Sequence, residues 1–89
     1  MHTLYFIVNP QAGNGSCLKT WVAVEAELQR KEVQFHAFFT NNRGHAKEIT
    51  EQLAKKQGQI VIIAVGGDGT LHEVVNGVAK YKNTAIGFI

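Results

Sequence analysis

Ile60-Val61-Ile62-Ile63-Ala64-Val65, followed at once by Gly66-Gly67-Asp68-Gly69-Thr70, is the stretch that decides the fold. An apolar, mostly β-branched run without polar alternation reads as a strand buried on both faces, as in a parallel sheet. The residues beyond it, Leu71-His72-Glu73-Val74-Val75-Asn76-Gly77-Val78, have helical spacing. A glycine-rich turn between a buried strand and a helix is a place for phosphate. Glycine lets the backbone approach an anion, and the helix N-terminus adds partial positive charge. Asp68 puts a carboxylate in that turn, able to hold a metal bridged to phosphate or to bind a sugar hydroxyl. Thr70 and Glu73 have the T-x-x-E spacing of a capping box, which starts the helix at Thr70 and makes Glu73 a cap rather than a catalytic base.

The pattern repeats upstream. Thr3-Leu4-Tyr5-Phe6-Ile7-Val8 is a continuous apolar strand that stops at Asn9-Pro10, before the small-residue loop Gln11-Ala12-Gly13-Asn14-Gly15-Ser16. Leu18, Trp21, Val22, Ala26 and Leu28 give the apolar stripe of a first helix, with Ser16 as its N-cap. Val33 to Thr40 reads as a second strand and Asn41-Asn42-Arg43-Gly44 as a turn. Ala46, Ile49, Thr50, Leu53 and Ala54 mark a second helix ended by Gly58. Asn83-Thr84 leads into a fourth strand, Ala85 to Ile89. The order β-α-β-α-β-α-β implies a parallel sheet with helices on both faces. In such a sheet ligands bind outside the carboxyl ends of the strands. Three segments meet there: Asn9 to Gly15, Thr40 to His45, and Gly66 to Thr70.

Bulk properties narrow the function classes. The chain has 89 residues, so one domain is the default, and a domain this small buries only about 60–65% of its unfolded surface. A net charge of +2 is too small to imply a nucleic-acid partner. Arg30-Lys31 and Lys55-Lys56 fall near helix C-termini, where they serve the helix dipole. A single cysteine, Cys17, excludes an internal disulfide and fits a reducing cytoplasm. It reads as a small residue in a first helical turn rather than a nucleophile. No stretch has the length and hydropathy of a signal peptide or a membrane span. Trp21, Phe35, Phe38 and Phe39 are core candidates, and His2 and His36 read as structural. His45, at a helix start, reads as surface rather than as a phosphate ligand.

Common phosphate and metal motifs are missing. There is no G-x-x-x-x-G-K-[ST], and both Gly13-Asn14-Gly15-Ser16-Cys17-Leu18 and Gly67-Asp68-Gly69-Thr70-Leu71-His72 lack the last glycine of G-x-G-x-x-G. Asn76 occupies the second histidine position of a zinc-protease helix begun by His72-Glu73. A Gly-Gly-Asp turn in diguanylate cyclases joins antiparallel strands, whereas this one leads into a helix.

The chain instead resembles the N-terminal part of the diacylglycerol kinase catalytic domain family of lipid kinases. Asn9-Pro10-Gln11-Ala12-Gly13-Asn14-Gly15 is similar to the family's opening N-P-x-[AS]-G loop, and Thr40 with Gly44-His45-Ala46 to its second loop. Gly66-Gly67-Asp68-Gly69-Thr70-Leu71, continued by Glu73-Val74-Val75-Asn76-Gly77, is similar to its signature. NAD kinases share the G-G-D-G-T block, while the E-V-V-N-G continuation and the N-P-x-A-G opening favour lipid kinases.

The resemblance implies an α/β, three-layer, Rossmann-like fold, with residues 1–89 forming the N-terminal part of the catalytic domain. Its remainder, with a P-x-G-T-x-N-D segment and a β-sandwich domain, is expected downstream, together with the lipid pocket and the catalytic base. The activity implied is transfer of the γ-phosphate of ATP to a lipid hydroxyl, foremost diacylglycerol giving phosphatidic acid. ATP would contact Asn9, Pro10, Gln11, Ala12, Gly13, Thr40, Gly66, Gly67, Asp68, Gly69 and Thr70, with Asp68 serving Mg²⁺ or the phosphates. Asn76-Gly77 either touches nucleotide or permits close helix–sheet packing. The lipid would be reached from the cytoplasmic side by a protein peripheral to the membrane, and a homodimer stays open. The 89-residue chain alone is expected to be inactive. Two alternatives stand beside this reading: an NAD kinase, and a non-enzymatic nucleotide-binding module.

Overall fold

A computed structural model describes residues 3–56 and 58–89, so His2 lies outside the described residues. Four strands, β1 (Leu4–Val8), β2 (Phe35–Phe39), β3 (Ile60–Val65) and β4 (Thr84–Phe88), form one sheet in the order β2-β1-β3-β4. All pairings are parallel, with Val8 opposite Phe39 on one side and Val65 on the other. The helices are α1 (Ser16–Arg30), α2 (His45–Ala54) and α3 (Asp68–Val78), and a short 3₁₀ turn, Ala12–Gly15, precedes α1.

Side chains alternate between the two faces of a strand, and helices cover both faces of β1 and β3, so these strands are apolar throughout apart from the Tyr5 hydroxyl. Ile7, Ile60, Ile62 and Ala64 point to one face and pack with Ala46 and Leu53 of α2 and Val74 and Val78 of α3. Phe6, Val8 and Val65 point to the other and meet Trp21 of α1. The molecule is therefore three layers, with α1 alone on one side of the sheet and the α2–α3 pair on the other. Ile7, Val8, Ile62 and Val65 are completely buried.

Strand order places β1 and β3 side by side at the centre, while the chain runs from β1 outward to β2 and back across to β3. Loops leaving the carboxyl ends of these two strands depart to opposite faces, and the crevice between them is where α/β sheets bind ligands.

Several local expectations need correction. Ser16 does not cap α1; Gly15 occupies the N-cap, and Ser16 is the first helical residue. The cause is the run before it: Gly13, Asn14 and Gly15 all have left-handed φ, of 64°, 54° and 90°, so the chain turns into the helix one residue early. The glycines take that region without strain, whereas Asn14 does so at a cost of about 1 kcal/mol. Likewise α3 starts at Asp68, with Gly67 as N-cap and no side-chain cap, so the capping box at Thr70 does not form. Helix α2 closes at Ala54, before Gly58, whose φ of 86° is left-handed, and Asn83 Nδ2 donates to the carbonyls of Lys56 and Gly58 beyond the helix end.

Phe39 is not a core residue. It lies at the end of an edge strand, is 44% exposed, and only offers its ring edge to Trp21. His36 is exposed and stacks on Tyr5 at 5.5 Å, a structural contact. Arg30 and Lys31 both pair with Glu27 at the exposed end of α1, and the Arg30 guanidinium holds the Glu27 carboxyl below its ordinary range. At Asn76-Gly77, Gly77 has the close-packing role, though against a helix rather than the sheet. A Cβ there would stand 2.7 Å from Thr50 Cβ and 3.0 Å from the Lys47 carbonyl, so its absence lets α3 lie directly on α2.

Candidate functional site: a cleft at the carboxyl edge of the sheet

The ladder of the sheet continues one residue past its strands and fixes where the loops begin. Asn9 N–H donates to the Val65 carbonyl and Thr40 N–H to the Val8 carbonyl, both at 2.9 Å. The Thr40 hydroxyl also donates to Val8, at 3.4 Å. The first residues of the loops after β1 and β2 are thus held in register with the end of β3.

Each loop then folds locally. Asn9 Oδ1 accepts the Gln11 N–H at 3.1 Å, and the Asn9 carbonyl accepts the Ala12 N–H, which rolls the chain into the 3₁₀ turn. The loop after β2 is closed by His45, whose Nδ1 accepts the Asn41 N–H at 3.0 Å. That bond requires an unprotonated Nδ1 and leaves Nε2 to carry the ring proton. His45 therefore has a loop-closing role that its reading as surface did not include. After β3, the chain enters α3 through Gly67 with no side chain over the helix end. In its first turn the Thr70 N–H donates to the Gly67 carbonyl at 3.1 Å, while among the described residues the N–H groups of Asp68 and Gly69 have no partner and remain open to a ligand.

These loops enclose a cleft of about 360 Å³, within the range of small-molecule sites. From the first loop it is lined by Asn9, Gln11 and Ala12, from the second by Thr40, and from the third by Gly67, Gly69 and Thr70. Pro10, Gly13, Gly66 and Asp68 do not line it. Pro10 and Gly13 shape the first turn, and buried Gly66 lies beneath Thr70 and Asn9. Asp68 is exposed at the first position of α3, flanked on either side by a lining glycine.

Asn41, Asn42, Arg43, Ala46 and Glu73 also line it; the sequence put the segment Thr40 to His45 at this edge and Glu73 near the phosphates, but named none of the five as a nucleotide contact. Arg43 is the cation of the set. It is exposed, and among the described residues no ion pair engages its guanidinium. Its signal in the sequence was position alone, an arginine in a loop at the carboxyl edge. Glu73 was assigned to cap α3, yet its Oε1 accepts the N–H groups of Gly44 at 3.1 Å and Lys47 at 3.3 Å. It caps α2 instead, and α3 keeps an open N-terminus.

Chemically, the cleft offers one guanidinium, a buried hydroxyl at Thr70, side-chain amides from two loops and the positive end of a helix dipole, which is a donor set for an anion bearing several oxygens. Among the described residues no group of three histidine, cysteine or acidic side chains could hold a metal by itself. Asp68 as a lone carboxylate suits a magnesium ion that arrives with its phosphates and keeps several waters, and does not suit a permanent metal centre. Among the described residues, no helix is long and apolar enough to cross a membrane.

Comparison with known proteins bears on the family and the fold. The chain is 36% identical over 87 residues to the candidate lipid kinase YtlR of Bacillus subtilis (strain 168), covering 96% of this chain and 28% of that protein. It is 40% identical over 77 residues to a diacylglycerol kinase of Staphylococcus haemolyticus, covering 86% of this chain and 23% of that one. A diacylglycerol kinase crystal structure from Bacillus anthracis superposes with a TM-score of 0.66 at 27% identity, covering 99% of this chain and 32% of that one. The chain thus spans less than a third of the length of these relatives. The family model for the diacylglycerol kinase catalytic domain matches residues 3–89, nearly every position described above, and the chain belongs to that family of lipid kinases.

Proposed function

We propose that this cleft binds the triphosphate of ATP, and that the chain supplies the nucleotide-binding part of a kinase that phosphorylates a lipid hydroxyl, foremost that of diacylglycerol. In that reaction the bond between the γ-phosphorus and the ADP oxygen breaks, and a bond to the lipid oxygen forms. The protein's task is to position the phosphates and neutralise their charge. The observation that carries the reading is the convergence of three separate loops on one cleft, which holds an arginine with no ion-pair partner among the described residues and a helix N-terminus with no side-chain cap. The names of its relatives, diacylglycerol, ceramide and sphingosine kinases among them, support a lipid acceptor over NAD.

Each loop has a distinct part in this reading. The free amides of Asp68 and Gly69 and the Thr70 hydroxyl take phosphate oxygens. Arg43 faces them across the cleft and offsets their charge. Asn9, Gln11 and Thr40 orient the nucleotide from the β1–β2 side. Asp68 would hold the magnesium ion, which when bound neutralises charge on the phosphates being separated.

Replacing Asp68 by alanine tests the arrangement. Asp68 is exposed, so stability is expected to stay within about 0.5 kcal/mol. Mg–ATP affinity, measured by calorimetric titration, is expected to fall by about tenfold or more, a loss comparable to one charge-assisted contact. Binding of ATP with EDTA present is expected to be the same for both proteins. Equal Mg–ATP affinities in the variant and wild type would remove the metal role from Asp68.

A further inference from the structure

We infer that Glu73 is a positioning residue: its carboxylate ties the Thr40–Gly44 wall of the cleft to the helix that carries the glycine turn, and so sets the width at which a triphosphate is held. The clamp stands on geometry alone; its effect on binding rests on the nucleotide reading above.

The N-cap of α2 is Gly44, which has no side chain to offer the amides at the start of that helix. Glu73 fills the gap from another element, 29 residues away from Gly44 and 26 from Lys47. One carboxylate oxygen takes the N–H of the N-cap and of the third helical residue. Its charge also lies at the positive end of the α2 dipole. The loop between Thr40 and Gly44 is then anchored at both ends: Thr40 to Val8 by its backbone and hydroxyl, and Gly44 to Glu73. Between those anchors stand Asn41, Asn42 and Arg43, all lining the cleft. Farther along the same two helices, bare Gly77 rests on Thr50. Besides the apolar core that Ala46, Leu53, Val74 and Val78 share, these two contacts tie α2 to α3, and the one at the cleft is Glu73. Because Glu73 rides on the helix whose first turn begins at Asp68, the clamp joins the phosphate-facing turn to the arginine-bearing loop without crossing the cleft.

Reach and charge can be separated. Glu73→Gln keeps an acceptor oxygen at the same distance, Glu73→Asp keeps the charge but falls one methylene short, and Glu73→Ala removes both. The 89-residue chain and these variants are titrated with Mg–ATP by calorimetry. Amide hydrogen exchange at Gly44 and Lys47 is measured without ligand. The expected result is affinity within about threefold of wild type for Glu73→Gln, and about tenfold weaker for Glu73→Asp and Glu73→Ala. Exchange at Gly44 and Lys47 is expected to quicken in the last two variants only. A merely stabilising Glu73 would leave Mg–ATP affinity unchanged in folded variants, and that result overturns the inference. If circular dichroism shows Glu73→Ala unfolded, Glu73→Asp carries the comparison. If wild type fails to bind Mg–ATP, the nucleotide reading falls and exchange decides the clamp: unchanged exchange at Gly44 and Lys47 in Glu73→Asp overturns it, and localised quickening upholds it.

Discussion

Trp21→Ala is expected to lower stability by about 3–5 kcal/mol, the range for truncating a fully buried large aromatic. A chain of 89 residues holds only about 4–13 kcal/mol in total, so the variant loses a large share of its stability and at the lower end of that range is largely unfolded. Trp21 is 2% exposed and is the only buried residue of α1. Its ring lies 4.9 Å from that of Phe6 and 5.8 Å from that of Phe35. Since α1 is the sole helix on its face of the sheet, no second helix there takes over the contact. Removing the indole leaves a void over Phe6 and detaches the 3₁₀ turn that leads from the cleft into α1. Urea unfolding followed by circular dichroism checks this. A midpoint equal to wild type would mean that α1 is held by something other than its tryptophan.

Gly66→Ala is expected to cost about 1–3 kcal/mol by overpacking, and to weaken Mg–ATP binding by about tenfold or more, a loss of the same size. The added Cβ would stand 2.5 Å from Thr70 Oγ1, 2.9 Å from Thr70 Cβ and 3.3 Å from Asn9 Cβ. A hydroxyl can rotate away, but the Thr70 Cβ is fixed to the first turn of α3 and buried. The helix start and Asn9 must move apart, and both carry cleft-lining residues. Gly67→Ala provides the contrast, because a Cβ there meets nothing within 4 Å. It is expected to leave the unfolding midpoint where it was. Equal midpoints and equal affinities for Gly66→Ala and wild type would show that the turn tolerates a side chain, against the close packing described.

Long-period features of the sequence carried through to the structure, and features that depended on one local pattern did not. Strands β1 and β3 were legible because they are buried on both faces, so every residue had to be apolar and no register choice remained. The cleft followed from topology: three loops at one edge of a parallel sheet must converge, wherever their side chains point. Glu73 shows the opposite case. Its spacing from Thr70 matches a capping box, but that spacing is a property of one helix, and the Gly44 and Lys47 amides belong to another. The Gly77–Thr50 contact brings α2 close enough for the carboxylate to choose them. Phe39 was misplaced for a related reason. Its composition matches a core strand, and only the sheet order shows that β2 is an edge. Arg43 carried no motif at all; its place in the cleft emerges once Thr40 and Gly44 are pinned on either side of it.

The central claim is that three sequence-distant loops form one triphosphate site. It is tested most directly by titrating the isotope-labelled chain with Mg–ATP and following every backbone amide by NMR. Saturable shifts are expected at the amides of Gln11 to Gly15, Thr40 to Gly44 and Gly67 to Thr70, all with one dissociation constant. None is expected at Lys82 to Thr84 on the opposite edge of the sheet. Shifts confined to a single loop, shifts centred on the opposite edge, or no saturable shift would contradict the claim.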